Sequence, residues 1–300
     1  MSVPTRALAQ ALAEGTVALD GGLSNQLADQ GCDLSDELWS ARLLADDPEQ
    51  VEAAHAAYVR AGARVLITAS YQATHEGFAR RGIGSDAASA LLRRSVELAR
   101  AAADRVAEEV WVAASVGPYG AMLADGSEYR GRYGLSIAEL ERFHRPRIET
   151  LAEAGPDVLA LETVPDTDEA EALLRAVDGV GVPVWLTYTV EGDATRAGQP
   201  LEEAFRIAAG SDAVIGVGVN CCSPADADRA VETAAATQLP VVVYPNSGET
   251  WDATTRAWHG GSSFDPERVR AWEKAGARLI GGCCRVGPGE ISGLAGALTR

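Results

Sequence analysis

The feature that most constrains this chain is a recurrence. Eight short runs rich in Val, Ile, Leu and Ala return along its whole length, at 16–21 (TVALDG), 65–70 (VLITAS), 110–117 (VWVAASVG), 158–163 (VLALET), 184–190 (VWLTYTV), 214–221 (VIGVGVNC), 240–246 (PVVVYPN) and 278–284 (RLIGGCC). They are continuously apolar rather than alternating, which is the pattern of strands covered on both faces in a parallel sheet. Helical stripes of Ala and Leu fill the intervals, at 48–61, 85–109, 137–154, 167–177, 201–209, 224–236 and 266–275. Pro48, Pro224 and Pro266 stand where first helical turns begin, and Gly62, Gly155 and Gly276 follow the last alanines as helix stops. Each strand-to-strand step is long enough for a crossover. Eight such units in 300 residues predict one (β/α)8 TIM barrel, with 1–300 as a single domain. The rival is an open doubly wound sheet, but no G-x-G-x-x-G follows the first run. No Pro/Gly/Ser-rich linker divides the chain.

Charge narrows the function. The formal net charge is −17, so phosphate backbones and anionic lipid are poor partners, and neither nucleic acid nor membrane is expected. The first residues have no long apolar stretch of the secretory kind, and no run approaches a membrane span, so a cytoplasmic protein is expected. In a reducing compartment the five cysteines are expected to be ligands, catalytic groups or buried thiols rather than disulfides.

A barrel places its chemistry at the C-terminal ends of its strands. There stand Asp20 on the first strand, Ser70 and Gln72 on the second, Glu162 and Thr163 on the fourth, Asn220 and Cys221 on the sixth, Asn246 on the seventh, and Cys283 and Cys284 on the eighth. Strands six and eight are separated by one strand, so their ends converge near the axis. Two glycines, Gly281 and Gly282, permit the bend that would turn both vicinal cysteines toward that point. Three thiolates leave one tetrahedral position open, the arrangement of a catalytic zinc rather than a closed structural one. The competing reading, buried thiols filling the core, suits an isolated Cys-Cys pair better than two pairs on one face. Neighbours in a strand point opposite ways, so Cys221 and Cys222 are not both ligands, and spacing alone leaves open which points inward. Cys32 reads as structural. Asp20 and Glu162 are placed to hold an ammonium group or, equally, to cap helices or satisfy loops. Asn220 and Asn246 suit a carboxylate or simply tie loops; together with Asp20, Glu162, Thr163, Ser70 and Gln72 they form the expected substrate-binding set. Two strand-to-helix segments, 117–135 and 246–264, are long and rich in glycine and aromatic residues, and they are expected to overlie the site.

These segments resemble the homocysteine S-methyltransferases, specifically the bacterial type using S-methylmethionine or S-adenosylmethionine. The resemblance rests on GVNC (218–221) and IGGCCR (280–285), with LDGG (19–22), ITASYQAT (67–74), SVGPYGAMLADGSEYRG (115–131), FHRPR (143–147) and VVYPNSGE (242–249), and it runs nearly end to end. It implies zinc on Cys221, Cys283 and Cys284, and Asp20 and Glu162 on the amino group of L-homocysteine. Two departures stand out. After LDGG the family usually continues with a small residue, Thr and an acid, but here the run is Leu23-Ser24-Asn25-Gln26; after GGCC many members have Thr-Thr-Pro or Gly-Thr-Pro, but here Arg285-Val286-Gly287-Pro288 follows.

The implied chemistry is methyl transfer from a sulfonium donor to the homocysteine thiol, which zinc deprotonates and holds in its open position. Carboxylates and aromatic faces suit the positive sulfonium, which makes Tyr119, Glu128, Tyr129 and Trp251 the donor-site candidates. Two alternatives accompany this reading. One is a betaine- or other-donor thiol or selenol methyltransferase on the same barrel. The other is a non-catalytic zinc- or thiol-sensing barrel.

Overall fold

The computed structural model describes residues 4–35, 38–252 and 257–298. Its eight parallel strands are β1 (Val17–Ala18), β2 (Val65–Ile67), β3 (Trp111–Val116), β4 (Val158–Val164), β5 (Val184–Tyr188), β6 (Val214–Asn220), β7 (Val241–Tyr244) and β8 (Ala277–Ile280). Neighbours follow chain order, and β1 pairs with β8 in register Val17↔Leu279 and Ala18↔Ile280. A single bridge, Leu19↔Val65, closes the ring. The strand expected at 16–21 is therefore short as a regular element, yet Leu19 and Asp20 still bond to strands on both sides: Leu19 N donates to Ile280 O at 2.8 Å and Asp20 N to Val65 O at 3.1 Å. The predicted barrel is the observed one.

Local chemistry sets the helices. Pro48, Pro224 and Pro266 occupy first turns, and Gly62 and Gly276 end their helices in the left-handed region at φ 108° and 117°. Side chains of Ser136, Asp166, Ser223 and Asp265 accept from the first-turn amides of the helices they precede. The helix expected at 85–109 stops at Ala103, because Asp104, Arg105, Ala107 and Glu108 are exposed and have no apolar face to bury. The sequence pattern does not announce the helix Pro288–Leu298, which contains several glycines, but it buries Ile291, Leu294 and Ala297. A Cβ on Gly62 would lie 2.7 Å from Ala295 Cβ, so small residues allow this helix to approach Pro48–Ala61 closely.

The core has two layers. The outer one lies between strands and helices and holds Val51, Leu92, Leu151, Leu173, Phe205 and Trp272. The inner one fills the barrel with Leu19, Val65, Trp111, Val158, Trp185, Val242 and Leu279. Leu8 and Leu12 of the helix Leu8–Glu14 join this inner cluster, and Trp111 Nε1 donates to Arg6 O at 2.9 Å, so that helix closes the N-terminal end. Each large side chain buried here contributes about 1.5–3 kcal/mol. At the opposite end the filling turns polar, with Ser115, Glu162, Thr187 and Asn220 all buried. No helix among the described residues is long and apolar enough to cross a membrane.

Candidate metal centre and active site

Cys221, Cys283 and Cys284 converge as expected, with sulfur atoms all within 4.8 Å of one another. Hydrogen bonds from their own backbone amides aim them. Cys221 N donates to Tyr244 O at 3.2 Å, and Cys283 N donates to Pro245 O at 2.7 Å. Cys284 N donates to Asn246 Oδ1 at 3.1 Å. Cys221 adopts φ 52°, a left-handed conformation that costs a non-glycine residue about 1–3 kcal/mol and that turns its thiol off the strand direction. Cys222 then points into the outer core, 1% exposed, which answers which member of the pair faces the site. The two glycines before the vicinal pair serve a different purpose from the one expected. Neither takes positive φ; instead a Cβ on Gly281 would meet Asp20 O at 2.6 Å, and one on Gly282 would meet Val286 Cγ1 at 2.1 Å. They are needed for close approach. Gly282 N donates to Asp20 O at 3.0 Å and Gly22 N to Val286 O at 2.9 Å, so LDGG and GGCC interlock although they lie at opposite ends of the chain.

The thiols interact strongly. Donation from Cys221 and Cys283 holds Cys284 well below the usual thiol range, while donation to Cys221 and burial hold Cys283 well above it. With Zn–S bonds of about 2.3 Å, a tetrahedral edge between two sulfurs is about 3.8 Å. Cys221 Sγ and Cys284 Sγ are 3.8 Å apart. The donor set and its spacing fit a tetrahedral thiolate-bound metal with one position left open.

Of the two acids, Asp20 follows β1 and so lies beside β8, while Glu162 comes from β4 on the other side of the barrel. Glu162 is 5% exposed; Ser115 Oγ donates to one of its oxygens and Tyr244 Oη to the other at 3.0 Å. Burial outweighs these donors and raises its pKa to about 7. Asp20 is fully buried, with Oδ2 accepting from Ile67 N at 2.8 Å and Oδ1 without a partner. Burial raises its pKa well above the usual range, opposed by the Ile67 amide and reinforced by Glu162. An unpartnered carboxylate oxygen beside a second buried carboxylate is a receptor for a cation.

Other predicted residues hold one another. Asn220 Oδ1 accepts from Thr163 N at 2.7 Å and Thr187 Oγ1 at 2.9 Å, while its Nδ2 donates to Thr163 Oγ1 at 2.7 Å. Ser70 Oγ donates to Ser115 O at 2.8 Å, and Gln72 Nε2 reaches Ala121 O at 3.2 Å. Asn246 ties β7 to the Cys284 turn.

Of the donor candidates, Tyr129 comes nearest, its hydroxyl 3.2 Å from Cys221 Sγ, with Arg196 5.9 Å from its ring centroid. Glu128 has a buried, unpartnered Oε2, and burial raises its pKa. The Tyr119 ring packs instead on Phe143 and Tyr133, with centroids 4.8 and 5.2 Å apart. The backbone of Trp251 lies in a hairpin, Thr250–Asp252 against Ala257–His259, but its side chain falls outside the described residues.

Sequence reasoning did not single out Ser115, Thr187 or Tyr244, which set the position of Glu162, nor Tyr71, whose phenol hydrogen-bonds to Thr163. For Ser115 and Tyr244 the signal was a lone polar or aromatic residue late in an otherwise apolar parallel strand; Thr187 shares its strand end with Tyr188, and Tyr71 lies past the end of β2. The two departures also meet in space: Asn25 Oδ1 accepts from Arg285 N at 2.7 Å, and Arg285 Nε pairs with Glu249 at 3.0 Å.

Residues 17–298 match the family model described as homocysteine S-methyltransferase. The chain is 43% identical to the homocysteine S-methyltransferase of Escherichia coli K12 over 97% of both chains. It is 41% identical to a selenocysteine methyltransferase of Astragalus bisulcatus over 91% of this chain and 90% of that one. The crystal structure of the metallated E. coli homocysteine methyltransferase MmuM superposes with a TM-score of 0.87, at 41% identity, covering 96% of this chain and 98% of the other.

Proposed function

The chain belongs to the homocysteine S-methyltransferase family, and from that premise we propose that it holds zinc on Cys221, Cys283 and Cys284 and moves a methyl group from a sulfonium donor to L-homocysteine. The observation that carries the metal assignment is the 3.8 Å separation of Cys221 and Cys284 sulfurs, the edge of a zinc–thiolate tetrahedron. Bound zinc would supply deprotonation of the substrate thiol at neutral pH. Residues 1–300 are read as one homocysteine-binding barrel domain.

The rest follows from the chain's own groups. Asp20 Oδ1 and Glu162, both buried, receive the homocysteine ammonium, which replaces the lost solvation of each carboxylate. Thr163, Asn220, Ser70, Gln72 and Asn246 keep the strand ends fixed around that pocket through the hydrogen bonds given above. Glu128 and Tyr129 face the positive donor over the thiols, and Tyr119 and Trp251 belong to the loops that carry this rim. A new bond forms between the homocysteine sulfur and the methyl carbon as the donor's sulfonium–methyl bond breaks. The departing thioether is neutral and takes the electron pair; the one proton lost is that of the substrate thiol, which passes to solvent as the thiol ionises, so the transfer step itself needs no general base. Orientation and exclusion of water supply much of the remaining acceleration.

The test is methionine formation by the purified protein from homocysteine with S-methylmethionine, S-adenosylmethionine or betaine. The reading expects product with at least one sulfonium donor. Turnover with betaine alone would replace it with the betaine-type alternative, and full metal content with no turnover on any donor would favour the sensing barrel. The likeness to a selenocysteine methyltransferase favours one extension, acceptance of a selenol by the same pocket, which competition between homocysteine and its selenium analogue would reveal.

A further inference from the structure

Beneath the loop that carries Glu128 and Tyr129 lies a buried polar chain that the chemistry above does not use. His144 and Arg147 sit one turn apart on the helix Ile137–Glu153, and Glu169 lies in the first turn of Thr167–Val177. His144 and Glu169 are fully buried and Arg147 is 1% exposed. Arg147 Nη2 donates to Gly117 O and to His144 Nδ1, the latter at 2.6 Å. Because Nδ1 accepts, the neutral ring carries its proton on Nε2, which donates to Glu169 Oε1 at 2.9 Å. Burial and the neighbouring Arg147 hold His144 well below the usual imidazole range, in keeping with a neutral ring. The same Glu169 oxygen accepts from Tyr119 N, the first amide of the helix Tyr119–Leu123.

This contact is two steps from the donor rim. A Cβ on Gly120 would lie 2.4 Å from Glu128 N and 2.6 Å from Ser127 C, so the backbone beside Tyr119 rests directly on the turn that presents Glu128 and Tyr129. The far end of the loop is tied from the same strand-to-helix connection. Arg132 N donates to Asp166 Oδ2 at 3.0 Å, Gln199 Nε2 holds the other Asp166 oxygen at 2.9 Å, and a Cβ on Gly131 would be 3.0 Å from Asp166 Cβ. The helix Tyr119–Leu123 has five residues, too few to be stable without such anchors.

We propose that Glu169, oriented by His144 and Arg147, is a positioning residue: it fixes the Tyr119 amide and thereby sets Glu128 and Tyr129 over the three thiols. The role rests on the reading of Glu128 and Tyr129 as the donor rim. Glu169 touches neither substrate nor metal, so its loss acts on the donor and spares the homocysteine pocket. The required chemistry is acceptance rather than charge. Burial raises the Glu169 pKa to about 7, and a glutamine keeps one carbonyl oxygen for the Tyr119 and His144 donors.

The experiment compares Glu169→Ala, Glu169→Gln and wild type by steady-state kinetics, zinc content and amide hydrogen exchange. Glu169→Ala is expected to raise the donor KM about tenfold, the scale of one lost buried hydrogen bond, while leaving zinc content and homocysteine KM near wild type. Glu169→Gln is expected to restore the donor KM. Equal loss for both substrates, or loss of zinc, would mean a general structural role and overturn the proposal. Wild-type exchange gives an answer even if the alanine variant does not fold: the Tyr119 amide should be strongly protected, and exchange as fast as an exposed loop would overturn the proposal. Glu128→Gln separates the two claims. If it leaves donor KM unchanged, the donor-rim reading falls; if it raises donor KM and Glu169→Ala does not, the positioning role falls alone.

Discussion

The two sides of the barrel mouth are built differently. On the thiol side, Cys221, Cys283 and Cys284 are aimed by backbone amides and a left-handed Cys221, and by glycines that let β8 and the LDGG segment touch. Their side chains hydrogen-bond among themselves and to Tyr129, so their lone pairs stay available to a metal. On the acid side, Glu162 is fixed through its own oxygens by Ser115 and Tyr244, with Trp185 and Thr187 behind Tyr244 at 3.2 and 2.9 Å. The contrast has a physical reason. A metal site needs unoccupied donors on a rigid frame, whereas a cation-binding carboxylate must be buried enough to bind tightly yet still be ionised. Under the proposed function the hydroxyl donors of Ser115 and Tyr244 favour the ionised form of Glu162, and the unpartnered Asp20 oxygen is left for the ammonium.

The largest effect is expected from emptying the thiol side. Removal of metal with a chelator under reducing conditions is expected to lower turnover by more than about a hundredfold, since even indirect partners of a metal are worth about 10–100-fold, with recovery on adding zinc. Activity that survives complete metal removal would leave the three thiols without their assigned task.

Changing the acid side should act on one substrate. Glu162→Gln is expected to raise the homocysteine KM about ten- to a hundredfold, the worth of a charged hydrogen bond, with zinc content unchanged. The same carboxylate sets a pH limb. Its pKa is raised to about 7, so it is protonated below that value and ionised above it. Turnover over KM for homocysteine should therefore fall as pH drops through about 7 in the wild type, and that limb should vanish in Glu162→Gln. A limb that persists unchanged would assign it to another group.

Smaller effects sharpen the contrast. Asn246→Ala removes the acceptor for Cys284 N and should weaken zinc binding about tenfold in a metal competition titration, without touching homocysteine KM. Gly282→Ala puts a methyl where Val286 already stands and should lower stability by about 1–3 kcal/mol in denaturant unfolding.

The difference between the two sides also explains what the sequence disclosed. The barrel was legible because fully covered strands and Ala-striped helices are periodic and local, and Pro and Gly mark their ends. The thiols were legible because three cysteines at strand ends are rare. The choice of Cys221 over Cys222 needed the resemblance, since it depends on a left-handed backbone that residue spacing does not encode. The supports of Glu162 were hidden because Ser115, Thr187 and Tyr244 come from three separate strands and meet only in the closed barrel. The Arg147–His144–Glu169 chain was visible only in part, as FHRPR, because its carboxylate lies on the next helix.

The most direct test of the central claim is zinc content and methionine formation measured on one preparation, wild type beside Cys283→Ser, with homocysteine and a sulfonium donor supplied. About one zinc per chain with turnover, both lost in the folded variant, is the predicted result. A reduced, folded wild type that forms methionine without zinc, or a variant that keeps both zinc and turnover, would contradict it.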